Sequence, residues 1–379
     1  MTTTVLTWKH VARTCALLAG ALLILAFIAL AVGAASLPLS AVGSALWEAL
    51  TGSPSALSPE HRTILLFVRL PRILLAMIVG AALGVAGAGY QALLRNPLAD
   101  PYVLGVSSGA ALGAILSLVL AGRFPVTMPI AAFLGATLTI AGVYFLGQRG
   151  AELSPYTLLL AGVITASFLS ALITFLLNFL SGRDLRGMAF WLMGDLSSPA
   201  PIPLGWLALG VLAAVAAIYA VAGPLNLLLG GEAEAEALGV NVRQTKLIVY
   251  LAASLATGLA VSVSGAIGYV GLLVPHLVRL LFGSDYRLLI PATALSGAVI
   301  LLAADTLARR IAAPMELPVG AVTAVVGAPV FIYLLRSRLP GRPSGPGSGG
   351  GAWCPSRRCR CAWKCASFPI ATRTSPCKR

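Results

Sequence analysis

The sequence predicts an all-α polytopic membrane protein with about ten transmembrane helices in a compact bundle. Of its 379 residues, 58% are apolar and only 10% are charged, whereas soluble domains carry about 25% charged residues. Apolar runs of roughly 20 residues, long enough to cross a bilayer, follow one another along most of the chain. Strand-like alternation is absent from the sequence, which favours helices throughout.

Nine apolar runs are uninterrupted, and a tenth is broken by polar residues. The nine cover residues 15–34, 73–94, 102–121, 126–147, 155–180, 203–223, 247–263, 288–304 and 317–335. The tenth covers residues 267–282 and contains Pro275, His276 and Arg279. Because the first run exceeds the roughly 7–15 apolar residues of a signal-peptide core, we expect it to be a retained helix.

Small residues recur at helical spacing in two of these runs. Gly80 and Gly84 are four residues apart, as are Gly105, Gly109 and Gly113. In lipid, helices associate largely by van der Waals contact, and glycines allow two backbones to approach closely. We therefore expect ordinary close packing at these positions, with a helix boundary that lines a pathway as the alternative.

The formal net charge of +14 arises at the C-terminal end. The segment from Arg336 to Arg379 contains ten Lys and Arg and no acids, so that the first 335 residues carry 16 basic and 12 acidic side chains. No basic stripe with interleaved aromatics occurs before it, which argues against nucleic acid as a partner. The Gly- and Pro-rich stretch 340–351 predicts a helical domain over residues 1–338 and a disordered Gly/Pro/Arg/Cys-rich tail over 339–379.

Cysteine usage follows the same division. Five of the six cysteines lie in the tail, and Cys15 is alone in the body. The spacing Cys359-Arg-Cys361 does not match the C-x₂₋₄-C pairs of zinc sites, and the tail has no His. We predict no metal site and no cofactor, with a metal-sensing tail as the alternative.

The sequence contains no phosphate-binding loop. None of its four lysines follows a glycine, as a Walker A loop requires, so any ATP hydrolysis belongs to a separate chain. The segment Gly105-Val-Ser-Ser-Gly109 matches the nucleophile-elbow pattern, and His276 and Asp305 could complete a triad in an intramembrane serine hydrolase. The elbow needs a strand-to-helix turn, whereas the start of a glycine-rich helix favours serines that cap or pack. We assign no catalytic residue.

Charged residues cluster beside the apolar runs. Arg69-Leu-Pro-Arg72 precedes the second run, where Pro71 suits the first turn of a helix, and Arg309 and Arg310 end the ninth. These arginines either anchor helices at the membrane interface or bind acidic side chains of a partner. The acidic stretch 231–240 is either a solvated connecting helix or a short helix that contacts another protein.

Several motifs occur in a fixed order along the chain. They are Arg69-Leu-Pro-Arg72, Asn96-Pro-Leu-Ala-Asp-Pro101, Leu104-Gly-Val-Ser-Ser-Gly109, Glu236-Ala-Leu-Gly-Val240, Gly271-Leu-Leu-Val-Pro-His276, Asp305 with Arg309, Glu316-Leu-Pro-Val-Gly320 and Gly327-Ala-Pro-Val330. In this order they resemble the FecCD-type permeases, the membrane subunits of type II ABC importers for iron siderophores, haem and cobalamin. The resemblance extends from about residue 10 to about residue 338.

The resemblance implies a multi-pass permease subunit of the bacterial inner membrane, and not an enzyme. It implies three protein partners: a second copy of the chain, a cytoplasmic ABC ATPase dimer and a periplasmic substrate-binding protein. The substrate would move by alternating access, with iron-siderophore favoured and haem or cobalamin close behind. A secondary transporter or channel without an ATPase remains the alternative.

The resemblance also implies three sets of site residues. Docking of the binding protein is expected at Arg69, Arg72 and Arg309. ATPase coupling is expected at Glu232, Glu236, Ala237, Leu238 and Gly239. The translocation pathway is expected on the fifth helix, at Tyr156, Thr165, Ser167, Phe168, Thr174, Phe175 and Asn178. The positive-inside rule does not fix the orientation, because in the family topology Lys and Arg of the body divide equally between the two sides.

Overall fold

The protein is described by a computed structural model that covers residues 7–33, 39–51, 58–120, 127–149, 152–197, 203–311, 313 and 315–338. Within these ranges the chain is almost entirely helical, which confirms the predicted all-α class. One compact unit extends to Tyr333, and a second begins at Leu334. The predicted tail, 339–379, lies outside the described residues.

The helices follow one another with short connections. In chain order they are α1 (Trp8–Ala31), α2 (Leu39–Thr51), α3 (Pro59–Thr63), α4 (Leu70–Leu93), α5 (Val106–Val119), α6 (Met128–Gly147), α7 (Pro155–Leu177), α8 (Gly182–Leu192), α9 (Leu204–Ala220), α10 (Ala222–Leu228), α11 (Glu232–Ala237), α12 (Val242–Ser264), α13 (Val270–Phe282), α14 (Tyr286–Ile311) and α15 (Val319–Arg338). A π-helical segment, Ile64–Arg69, joins α3 to α4, and a 3₁₀ helix, Pro101–Leu104, precedes α5.

The helices confirm a polytopic membrane protein. Among the described residues, six helical segments are long and apolar enough to cross a membrane, and α9 and α10 add a pair bent by 51°. Three shorter apolar helices are α5, α13 and most of α15. Each of these elements overlaps one of the ten predicted runs. That the chain crosses the membrane ten times stays a prediction.

One small strand pair departs from the expectation of helices alone. Gln148–Arg149 and Glu152–Leu153 form an antiparallel pair of two residues each, with Gln148 opposite Leu153. Two residues on each side of a turn are too short to give an alternating pattern in the sequence.

The helix that contains the second predicted run begins earlier than that run. Helical structure is continuous over Pro59–Leu93, 35 residues, and Ser58 caps its start by accepting from the His61 N–H at 3.3 Å. Pro71 therefore lies inside a longer helical segment instead of starting it. Proline removes one backbone N–H and crowds the preceding turn, and the π-helical segment immediately before it widens the helix at this point.

Helix α4 lies at the centre of the bundle and confirms the expected close packing. A Cβ on Gly80 would lie 2.3 Å from the Gly297 carbonyl oxygen of α14, and one on Gly87 would lie 1.8 Å from that of Gly271 on α13. The same close approach occurs at Gly113 of α5, where a Cβ would lie 2.1 Å from the Ala131 carbonyl oxygen of α6. Side chains at these positions would force the backbones apart, so the glycines fix the helix spacing.

Two of the shorter helices begin where the chain turns sharply. Helix α5 follows Gly105, whose φ is +75°, and α13 follows Tyr269, whose φ is +69°. Helix α12 ends at Gly265, where a Cβ would lie 1.9 Å from the Trp191 carbonyl oxygen of α8. The predicted run 267–282 thus starts as helix only at Val270, because these turns interrupt helical hydrogen bonding before it.

Candidate functional site

The three predicted docking arginines lie together inside one end of the bundle. Arg69, Arg72 and Arg309 are 4%, 8% and 4% exposed. Arg72 on α4 donates from Nε to Asp305 Oδ1 of α14 at 2.9 Å and from Nη1 to Glu316 Oε2 at 2.7 Å. These side chains form a buried ionic cluster and not the exposed basic patch that docking suggested.

Asp305 lies between two guanidinium groups. Its other oxygen, Oδ2, lies 3.0 Å from Arg309 Nε one helical turn further along α14, and its side chain has no solvent exposure. A carboxylate in this environment is stable only when it is paired. Glu316, in contrast, keeps 45% of its side chain exposed, so it forms the accessible edge of the cluster.

The same arginines bind the C-terminal end of α1. Arg69 donates from Nη1 to the carbonyl oxygens of Leu30 and Ala31 at 2.5 and 3.0 Å, and Arg309 Nη1 lies 3.5 Å from that of Ala29. The last carbonyls of a helix lack intrahelical partners and favour nearby cations. The cluster therefore ties α1 to α4 and α14.

The sequence pointed to the arginines but not to their carboxylate partners. Asp305 and Arg309 are four residues apart in one apolar run, a spacing at which opposite charges meet on a helix. That spacing could have identified this pair. Nothing in the local sequence connects Glu316 to Arg72, which lies 244 residues away.

At the opposite end of α4, the predicted coupling residues divide between two sides of α11. Glu236, Ala237, Leu238 and Gly239 are exposed, and Leu238 is 67% exposed. Glu232 is only partly exposed and faces the bundle, where it forms ion pairs. The predicted helix is confirmed, and Gly239, with a φ of +84°, follows its end in a left-handed conformation.

The predicted pathway residues lie along α7 and are mostly exposed. Their polar groups bond to the helix itself: Ser167 Oγ donates to the Val163 carbonyl at 2.9 Å, and Thr174 Oγ1 donates to the Ser170 carbonyl at 2.9 Å. Asn178 Nδ2 donates to the carbonyls of α7 in the same way. The donor groups of Ser167, Thr174 and Asn178 are thus occupied by carbonyls of the helix itself.

Aromatic rings and a groove complete the α7 surface. Tyr156, Phe168 and Phe175 are 76%, 67% and 60% exposed. Thr165 and Phe168 also line a groove of about 710 Å³ between α5, α6 and α7, whose remaining lining is largely aliphatic. Such a surface can guide a bulky molecule without binding it tightly.

The hydrolase alternative does not fit this arrangement. Gly105 follows a 3₁₀ helix and precedes α5, whereas a nucleophile elbow follows a strand. Asp305 is already held between Arg72 and Arg309. In the described structure this aspartate therefore stabilises cations in place of orienting a histidine.

Comparisons with known proteins agree with the fold and the ordered motifs. Residues 21–337 match the model of the FecCD transport family. The chain is similar to a cobalamin import system permease protein, BtuC, of Halobacterium salinarum, with 43% identity covering 78% of this chain and 81% of that one. It is also similar to a hemin transport system permease protein, HmuU, of Yersinia pestis, with 42% identity covering 85% and 96%.

A solved structure shares the architecture. A putative metal-chelate type ABC transporter in an inward-facing conformation superposes with a TM-score of 0.73 at 32% identity, covering 86% of this chain and 99% of that one. With the family match over most of the sequence, the chain belongs to the FecCD transport family and is a multi-pass permease subunit of the bacterial inner membrane.

Proposed function

We propose that this permease carries a metal chelate from a periplasmic binding protein to the cytoplasm by alternating access. An iron-siderophore is the favoured cargo, with haem and cobalamin close behind. The observation that carries the proposal is the family match over residues 21–337. It is supported by relatives named for cobalamin and hemin transport and by a structural neighbour named for metal chelates.

The surface of α7 supports a large cargo that is guided and not held. Ser167, Thr174 and Asn178 donate to the carbonyls of the helix itself, and Phe168 and Phe175 expose apolar rings. Weak, distributed contacts suit a pathway that the cargo must leave. Specificity for the cargo would then lie in the binding protein. Tyr156, Phe168 and Phe175 are proposed to line this pathway.

A second copy of the chain is proposed to complete the pathway. Large apolar side chains are exposed on α7 and on α15, including Phe168, Val325 and Ile332. An exposed apolar face on a helix tolerates lipid, but a polar chelate cannot cross beside lipid alone. Pairing two copies across α7 would enclose the chelate within protein.

A cytoplasmic ATPase dimer is proposed to contact the exposed side of α11. Leu238 projects from the end of this short helix, and Glu236 supplies negative charge beside it. An exposed apolar side chain bordered by charged residues is typical of protein interfaces. Replacing Leu238 with Glu should therefore abolish retention of the ATPase.

Binding-protein docking is proposed at the end of the bundle that holds the arginine cluster. Arg72 is reachable there only beside Glu316, whose side chain is 45% exposed. Arg69 and Arg309 would act indirectly by holding α1 and Asp305 in place.

Co-purification tests the ATPase-dependent function against the alternative of a secondary transporter or channel. The full-length chain should retain an ABC ATPase from membranes, and the Leu238→Glu variant should not. Leu209→Ala, at an exposed position of α9, is the control and should retain the ATPase. If the wild-type chain retains no ATPase, the importer function is wrong.

A further inference from the structure

Glu232, the first residue of α11, is bound by two cations from the ends of two long helices. Its Oε1 lies 3.1 Å from Arg95 Nη2, just after α4, and its Oε2 lies 2.5 Å from Lys246 Nζ on α12. Each carboxylate oxygen therefore has its own cation. The Lys246 side chain is only 10% exposed, which strengthens its attraction to Glu232 relative to a surface pair.

Arg95 occupies a backbone conformation that usually belongs to glycine. Its φ is +49°, and the Asn96 N–H donates to the Gln91 carbonyl at 3.2 Å, which is the bond that closes a Schellman motif after α4. A non-glycine residue in the left-handed region costs roughly 1–2 kcal/mol. The position therefore carries an arginine at a cost to stability, and the structure shows one use for its side chain, the ion pair with Glu232.

The rest of α11 separates an inward side from an outward side. Ala235 is completely buried against the bundle, whereas Leu238 is 67% exposed. With only six residues, α11 is too short to be stable by itself. Its orientation thus depends on contacts at its inward side, of which Glu232 provides the charged ones.

We propose that Glu232 is a positioning residue that fixes α11 to the ends of α4 and α12. A displacement of the exposed residues of α11 is then transmitted to two helices of the bundle core. This inference rests on the proposed contact between α11 and an ATPase. It also separates Glu232 from Glu236 and Leu238: the first holds the helix to the permease, and the others face the partner.

Arg95→Gly tests the proposal with little risk to the fold. Glycine accepts the left-handed backbone, so this variant should be at least as heat-stable as the wild type. If Arg95 served only to end α4, transport would be unchanged. Under the proposal, ATP hydrolysis in proteoliposomes with the ATPase continues, and uptake of labelled haemin or cyanocobalamin per ATP hydrolysed falls several-fold.

Glu232→Gln should have the larger effect, because it removes both ion pairs. We expect about a tenfold fall in uptake per ATP hydrolysed, within the range of typical coupling between distant sites. Glu234→Gln, a neutral substitution at an exposed residue of α11 that belongs to neither the ion pairs nor the proposed ATPase contact, is the matched control. It should not change the ratio of uptake to hydrolysis.

A distance measurement tests this attachment of α11 by Glu232, called the anchor below, without any cargo or ATPase. Spin labels at Leu238→Cys, directly after α11, and at Leu251→Cys on α12 report the distance between the two elements. The background is the full chain with its six native cysteines replaced by Ser. The distribution should be narrow in the wild type and with Glu234→Gln, and broad with Glu232→Gln.

The outcomes separate this inference from the proposed function. Unchanged distances with Glu232→Gln would overturn the anchor, as would unchanged uptake per ATP with both Arg95→Gly and Glu232→Gln. If the wild-type chain binds no ATPase while Glu232→Gln still broadens the distances, the anchor stands and the importer function fails.

Discussion

Arg72 on α4 and Asp305 on α14, 233 residues apart, form a buried ion pair with 2.9 Å between Nε and Oδ1. The pair joins the start of the central helix to the end of the helix packed along it. Arg309 lies 3.0 Å from the other oxygen of the same carboxylate. One aspartate thus pairs with two cations at a point where α1, α4 and α14 meet.

Removing this aspartate should destabilise the fold strongly. Asp305→Ala leaves Arg72 and Arg309 without their shared carboxylate, and breaking a buried pair typically costs about 3–5 kcal/mol. We expect a large fall in the thermal unfolding midpoint in detergent. The control is Arg62→Gln, because Arg62 pairs with Glu48 while 56% exposed, and such pairs contribute about 1 kcal/mol or less. Equal midpoints for the two variants would contradict the structural role of Asp305.

Replacing glycines with alanine should distinguish positions where two helices pack closely from ordinary helical positions. Gly87→Ala places a methyl group 1.8 Å from the Gly271 carbonyl oxygen, and backbone cannot move aside cheaply, so the folded yield should fall. Gly142→Ala, on α6, meets nothing within 4 Å and should be neutral or stabilising by roughly 0.5–1 kcal/mol. Fluorescence-detected size exclusion measures both yields, and a normal yield for Gly87→Ala would show that the helices can separate there.

Asp100, in the connection between α4 and α5, should make stability depend on pH. Burial raises its pKa from 3.8 to about 6, against the lowering effect of the Tyr102 N–H that it accepts at 2.9 Å. A raised pKa in the folded state means that the contribution of this group is complete below about pH 4 and is lost as the pH rises through about 6.

The variant Asp100→Asn tests this pH dependence. Asparagine can accept the same N–H without carrying a charge. The variant should therefore match the wild type near pH 4 and be more heat-stable at pH 7.5. Parallel curves of unfolding midpoint against pH for the two proteins would show that Asp100 does not titrate in this range.

Glu316 offers a sharper test of binding-protein docking than the arginines do. If Arg69 and Arg72 bind the binding protein, reversing both charges should abolish uptake while basal ATPase activity remains. Because both side chains are buried, that double variant should also lose folded yield. Glu316→Gln removes a half-exposed carboxylate at a cost near that of a surface pair, about 1 kcal/mol or less.

Under the docking proposal, Glu316→Gln should bind the binding protein more tightly. Arg72 would keep Asp305 but lose the carboxylate that competes with those of the partner. Surface plasmon resonance with the permease in nanodiscs measures the change in Kd. A weaker or unchanged Kd would place docking elsewhere.

The sequence predicted the fold where apolar runs were long and regular. Helices α6 and α7 follow their predicted runs closely, because an apolar segment of 20 residues or more in a membrane has few alternatives to helix. The sequence did not predict that the helix containing the second run begins more than ten residues before that run, because residues 59–69 are partly polar. Composition cannot reveal a helix that continues beyond the bilayer core.

The candidate sites were predictable in residue type but not in environment. Arg72 and Glu232 were identified from their neighbours in sequence, yet Arg72 is buried and Glu232 faces inward. Their partners, Glu316 and Arg95, are distant along the chain. Long-range pairing depends on how the helices assemble, which periodicity within one helix does not specify.

The central claim, an ATP-driven permease for a metal chelate, is tested most directly by uptake into proteoliposomes. The full-length chain is reconstituted with its ATPase and binding protein, and entry of a labelled ferric siderophore, haemin or cyanocobalamin is measured with and without ATP. We expect entry of one of these chelates only when ATP and both partners are present. Entry driven by a proton or sodium gradient, with no ATPase in the membrane, would contradict the account.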